Sequence, residues 1–134
     1  MKRRTYITTQ LTTMLAAAVG TPLAKAAGKG RPIQLHLDML VDPKREQEML
    51  TNFEKVFRPT AERQPGYIDL KILKLSSALR GAAPSGGKYR FVLTYESEAL
   101  RQKWIASKDH DRVWPEIEKT LLDKNFGILL YDVY

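Results

Sequence analysis

Residues 33–41 alternate. Ile33, Leu35, Leu37, Met39 and Val41 fall on one face, and Gln34, His36, Asp38 and Leu40 on the other, which predicts a half-buried strand. Asp42-Pro43 then predicts a helix start, with Asp42 as N-cap and Pro43 at the first helical position. Glu46 suits the positive end of that helix's dipole. Across residues 44–62, Met49, Leu50, Phe53, Val56, Phe57 and Ala61 recur at steps of three and four, the single stripe of an amphipathic helix. Pro59 lies inside the pattern and predicts a kink or an irregular last turn. Pro65-Gly66 closes the helix, and residues 67–75 read as the next strand, with Ile68, Leu70 and Ile72 on one face.

Residues 76–88 carry Gly81, Pro84, Gly86 and Gly87 and read as a mobile hairpin loop. In residues 89–95, Tyr89, Phe91, Leu93 and Tyr95 face one way and Arg90, Val92 and Thr94 the other, a third strand. Ser97 caps a helix to about Ala106, with Leu100 and Trp104 stacked one turn apart. Ser107 and Asp109 offer caps for a further helical stretch carrying His110, Val113, Trp114, Ile117 and Leu121. Pro115 within it either kinks one helix or starts a shorter one. Gly127 ends the helical region, and residues 128–134 form the last strand. The order is β-α-β-β-α-β, an α+β ferredoxin-like domain with an antiparallel four-stranded sheet.

Helices on one face of such a sheet leave the other bare. Leu73, Leu75, Phe91, Leu93 and Leu130 spread apolar side chains over both faces in places. Monomers rarely expose an apolar patch of that size, so a homodimer through the sheet face is expected.

Composition changes the picture at the N-terminus. The chain has 134 residues, enough for one domain, and a formal charge of +7. Residues 1–26 hold Lys2, Arg3, Arg4 and Lys25 and no acid, so the rest carries 22 − 4 = 18 basic against 15 acidic groups, or +3. No basic block remains, and a nucleic-acid partner is not expected. A basic start, an apolar middle and Ala24-Lys25-Ala26 together read as an export signal over residues 1–26, cleaved before Ala27. Residues 27–32 are a linker and 33–134 the domain. The uninterrupted apolar run from Met14 to Val19 is far short of the roughly 20 residues that span a bilayer. Export places the domain in the periplasm or outside the cell, and with no cysteine it gains no disulfide there.

The strand running through Leu93-Thr-Tyr-Glu-Ser-Glu, the helix that follows it, and Ser107-x-x-His110 at its end are preceded by Gln64-Pro65-Gly66-Tyr67. As an ordered set these resemble the antibiotic biosynthesis monooxygenase family over roughly residues 33–134. The resemblance implies ferredoxin-like subunits paired into a dimeric α+β barrel. It also implies oxygenation of phenolic or quinol compounds with no flavin or metal, the substrate supplying electrons to dioxygen after losing a proton. Such a protein needs an apolar cavity, a proton acceptor and aromatic walls.

His110 matches the family's Ser-x-x-His position and is the candidate acid/base residue, its ordinary pKa near 6.5 suiting proton transfer. A structural histidine bonded to backbone is the plainer alternative. Trp104, Trp114, Tyr95, His36 and Phe53 are the candidate substrate-binding residues, although Trp104 at helical spacing with Leu100 also reads as core packing. His36 shares its strand face with Asp38, which could orient the imidazole.

A related branch of the resemblance degrades haem with an Asn on the first strand, where this chain has Leu37. That argues against haem breakdown, while binding of haem or another hydrophobic ligand without turnover is the rival function. Two histidines and no cysteine are too thin a ligand set for a metal site, so neither a metal nor a cofactor is expected.

Lys2-Arg3-Arg4-Thr5-Tyr6-Ile7 resembles a twin-arginine motif without the usual Ser or Thr before the pair, with the Sec route as the alternative. Changing Arg3 and Arg4 to lysine is expected to trap folded protein in the cytoplasm. Normal cleavage and export of that variant, followed by immunoblot of cell fractions, would reject the twin-arginine route.

Overall fold

Strand β1 (Ile33–Met39) buries every second residue, as its alternation predicts. The computed structural model describes residues 31–84 and 88–134, of which Pro32–Tyr134 form one unit. Residues 1–26, where an export signal is expected, and residues 27–30 of the expected linker lie outside the described residues, as do residues 85–87 of the predicted hairpin loop. The remaining strands are β2 (Tyr67–Lys74), β3 (Tyr89–Tyr95) and β4 (Ile128–Asp132). All pairings are antiparallel in the order β2-β3-β1-β4, which is the ferredoxin-like arrangement.

Helix α1 is a composite of four segments. Asp42 caps a 3-10 turn (Pro43–Arg45) by accepting the Lys44 amide, followed by an α-helical stretch (Glu46–Asn52). A π-helical stretch (Phe53–Phe57) and a last α-helical turn (Arg58–Glu62) complete it. Pro59 accounts for the irregularity predicted here, but its effect falls upstream. Proline has no N–H for the Lys55 carbonyl and its ring crowds that oxygen, so the chain widens to i→i+5 bonds, with the Arg58 amide reaching the Phe53 carbonyl.

Helices α2 (Glu98–Ile105) and α3 (Lys108–Glu118) begin at Ser97 and Ser107, whose side chains accept the amides of Leu100 and His110. Pro115 sits inside a continuous α3, where both it and Asp111 are exposed. The Asp111 carbonyl that loses its helical donor therefore faces water.

Three expectations need correction. The helical region ends at Glu118, nine residues before Gly127. The Thr120 hydroxyl bonds back to the Ile117 carbonyl at 2.6 Å, and Leu121 forms a bridge with Val41 that ties the exit of α3 to the exit of β1. In β2 a bulge between Tyr67 and Asp69 removes Ile68 from the face of Leu70 and Ile72, leaving it 46% exposed. On the sheet, Phe91 and Leu93 point to the helices and are buried. The register sets Gln34, His36, Asp38, Arg90, Val92 and Thr94 across the centre of the open face, with the exposed Leu73 on one edge strand and Leu129 and Tyr131 on the other, so the apolar character expected there is confined to the edges. Val92 and Thr94 are nevertheless buried there, shielded by their longer neighbours.

Gly66 is a position where only glycine fits. Its φ is +89°, and a Cβ there would lie 2.6 Å from Leu100 Cδ1. Gly66→Ala is expected to destabilise the domain by about 2 kcal/mol or more, from a left-handed backbone and an overpacked contact together. Adding Leu100→Ala should restore part of the steric share, so chemical denaturation of the double variant should show less loss than the sum of the singles.

Candidate functional site

A cavity of about 360 Å³ lies between the sheet and the α2–α3 corner, within the size range of small-molecule sites. Its sheet wall is Leu35 and Leu37 of β1, Phe91 and Leu93 of β3, and Ile128 and Leu130 of β4. Phe57, Trp104, His110, Trp114 and Phe126 close the other side, with Arg101 and Ile105 beside them. The residues from β1, β3 and Phe57 are buried, whereas Ile105, Ile128 and Leu130 are 42%, 53% and 47% exposed and frame the mouth.

Local sequence sets this geometry. Arg101, Trp104 and Ile105 fall on one face of α2 at i, i+3 and i+4. The Ser107 hydroxyl donates to the Trp104 carbonyl at 2.7 Å and accepts the His110 amide at 3.1 Å, so one side chain ends α2 and starts α3. That corner brings the His110 ring edge-on to Trp104, centroids 5.0 Å apart, and nearly parallel to Trp114 at 6.2 Å. Trp104 and Trp114 both meet Phe57 edge-on, and Phe126 closes against Trp114 at 5.7 Å.

Burial holds His110 below its ordinary pKa of 6.5, with Asp111 offsetting part of the effect. Among the described residues, none hydrogen-bonds its ring nitrogens. The site therefore holds a neutral imidazole with a free lone pair against aromatic walls, able to accept a proton from a bound ligand.

Trp104, Trp114 and His110 thus share one cavity. The other candidate residues lie elsewhere. Phe53 packs in the core against Phe57 and Phe91, with the Arg58 guanidinium 4.9 Å over its ring. Tyr95 is fully buried at the far end of β3, opposite Ile33 and Tyr67; it shares the inward face of Phe91 and Leu93 but lies two residues beyond the last of them, past the cavity. Its hydroxyl has no partner among the described residues, and burial pushes its pKa well up.

His36 is on the open face of the sheet, bonded through Nε2 to Gln34 Oε1 at 2.7 Å and 4.7 Å from the Tyr131 ring. Asp38 does not orient it, since both carboxylate oxygens are held by Arg90 at 2.8 and 3.0 Å. Burial and Arg90 lower the His36 pKa against a smaller upward pull from Asp38. Among the described residues, no group of three or more metal-ligating side chains comes together and no helix is long and apolar enough to cross a membrane.

Arg101 was not singled out from the sequence. Its spacing from Glu98 reads as an ordinary surface ion pair, and only its place on the Trp104 face hints otherwise. Phe126 was missed because that stretch read as the tail of a helix.

No family model matches the chain, and no curated protein matches it. Several solved structures share its fold. A candidate antibiotic biosynthesis monooxygenase from Bordetella bronchiseptica superposes with a TM-score of 0.63 at 15% identity, covering 78% of this chain and 98% of that one. The hydroxynitrile lyase of Passiflora edulis gives 0.63 at 10% identity, over 78% and 94%. A dimeric ferredoxin-like protein from Jannaschia gives 0.60 at 12%, over 77% and 98%. The likeness shows a ferredoxin-like α+β fold similar to that of monooxygenase-like proteins; one fold serving different chemistries leaves the reaction to the site.

Both histidines carry lowered pKa values, so between each folded value and 6.5 the unfolded chain binds more protons than the native protein. Their contribution to stability is full above pH 6.5 and is lost as pH falls through the folded values. Proton NMR of the two imidazoles, assigned with His36→Gln and His110→Gln, should give both midpoints below 6.5. A His110 midpoint at or above 6.5 would remove the case for a desolvated, neutral ring.

Proposed function

We propose that this protein is a cofactor-independent monooxygenase-like enzyme for a phenolic or quinol compound bound in the cavity. The observation that carries the reading is His110, a desolvated neutral imidazole on the wall of an apolar, aromatic pocket. The fold likeness to a candidate monooxygenase supports it at the level of architecture.

In this reading a substrate carbon between activating groups gives its proton to His110, and the C–H electron pair stays on the substrate. Electrons from that carbanion reduce dioxygen. One oxygen atom ends on the carbon, turning CH₂ into C=O, and the other leaves as water, so no outside reductant is needed. The apolar wall suits dioxygen and keeps bulk water from returning the proton. Trp104 and Trp114 supply flat surfaces for the ring.

A dimer fits the same picture. Both faces of edge strand β4 are open, with Ile128, Leu129, Leu130 and Tyr131 each about half exposed. A long apolar edge of this kind is normally covered. Sedimentation of the protein at micromolar concentration is expected to give twice the monomer mass.

Oxygen uptake with a panel of anthrones and quinols tests the function. His110→Ala should reduce turnover about 10²-fold or more, the usual weight of a placed acid/base group. Tight binding of the panel without any uptake would replace the enzyme with a carrier of small hydrophobic ligands. Uptake per folded molecule that stays within a few-fold in His110→Ala would strip His110 of its role.

A further inference from the structure

Apart from His110, Arg101 is the one titratable side chain on the cavity wall among the described residues. Its Nε and Nη2 each donate to an oxygen of Glu98 at 2.7 Å, a forked pair three residues apart on α2. Glu98 itself is not part of the wall and is the more exposed partner, at 34% against 16% for Arg101. Those bonds use two of the five guanidinium N–H donors. Among the described residues, none takes the two hydrogens on Nη1.

The side chain is 16% exposed and Nη1 is not sealed from solvent, so these donors are open to an entering oxygen acceptor, which would gain a charge-assisted bond beside an apolar wall. A purely structural ion pair between exposed residues would leave the guanidinium in solvent, where such pairs contribute little. Here α2 turns it toward the pocket instead, one turn from Trp104. The neutral imidazole of His110, with only Asp111 bearing on it, accepts a proton but offers no positive charge to the anion left behind.

We propose that Arg101 is the anion receptor of the cavity, its uncommitted Nη1–H groups taking the deprotonated hydroxyl oxygen of a phenolic ligand whose ring lies against the apolar wall. The inference rests on the cavity being the ligand site. The phenol O–H bond breaks with its electron pair left on the oxygen beside Arg101, and the proton passes to His110 or to solvent. Recognition of an oxyanion selects hydroxylated aromatics over hydrocarbons of the same shape, which the aromatic walls alone would bind equally.

The test uses the full-length protein and 4-nitrophenol, whose anion absorbs visible light while the neutral form does not. Bound probe is expected to ionise at least one pH unit below free probe, equivalent to about tenfold tighter binding of the anion or more. Arg101→Gln should abolish that shift, Arg101→Lys should keep part of it, and His110→Gln should keep it, because the charge belongs to Arg101. A shift unchanged in Arg101→Gln overturns the assignment. If the variants fold poorly the wild-type protein still decides: probe that ionises at or above its free value in the cavity, or fails to bind, also overturns it. Anion binding without oxygen uptake on any substrate would reject the monooxygenase reading and leave Arg101 in its role.

Discussion

Phe57 is where the two layers of the domain meet. Its ring stacks edge-on against Phe91 of β3 at 5.2 Å, Trp104 of α2 at 5.8 Å and Trp114 of α3 at 6.2 Å, while it is itself 1% exposed. Aromatic pairs in this geometry contribute about 0.5–1.5 kcal/mol each beyond the area they bury. More important than their sum is that one side chain fixes three elements relative to one another. It is also part of the cavity wall, so the shape of the pocket and the packing of the core are set by the same contact. The position of Phe57 depends in turn on the π-helical stretch before Pro59, which rotates the residues ahead of it relative to a regular helix.

This dependence explains what could be read in the chain and what could not. Strand β1, the Asp42 cap, the Ser97 and Ser107 caps and the order of elements follow from period, cap residues and punctuation, all of which act within a few residues. The same local signals placed Trp104, His110 and Trp114 on inward faces. What sequence alone left open needs contacts between distant segments. Leu121 continues the apolar spacing of α3 but is drawn off by Val41, eighty residues away, and no local signal announces that bridge. Ile68 has the right alternation and loses its place to a bulge. Tyr95 and Phe53 are aromatic and inward, yet the cavity occupies only the part of the sheet near β4, and that location is a matter of where three helical elements run out of sheet to cover.

Asp38 shows how pairing across strands overrides nearness along one. It stands two residues from His36 on the same face, but the register sets it directly opposite Arg90, whose fork takes both oxygens. His36 then turns to Gln34, which in turn reaches Thr94 at 3.0 Å. The centre of the open face thus holds polar side chains satisfied largely by one another around Val92, with Nδ1 of His36 left as a buried acceptor among the described residues. A partner on this face would meet an organised polar surface at the centre and the apolar side chains of β4 at one side, closer to the mixed character of a subunit interface than to a greasy patch.

Among the described residues, the two titratable groups on the cavity wall, His110 and Arg101, respond oppositely to the same surroundings. Desolvation disfavours charge on His110, whose proton is easily lost, and leaves it neutral. Arg101 holds its proton so strongly that burial cannot remove it, and Glu98 raises its pKa further. A low-dielectric pocket therefore sorts the pair into a base and a fixed cation. Two unit charges 4 Å apart interact by about 1 kcal/mol in water and roughly 4 kcal/mol at the effective dielectric of a protein surface. An anion formed beside Arg101 gains accordingly from the water that the apolar wall excludes, while the leucines and aromatic rings around it gain nothing from its charge. Leu37 belongs to that uncharged wall, as do Leu35 and Leu93, so among the described residues lining the cavity Arg101 alone carries a fixed positive charge.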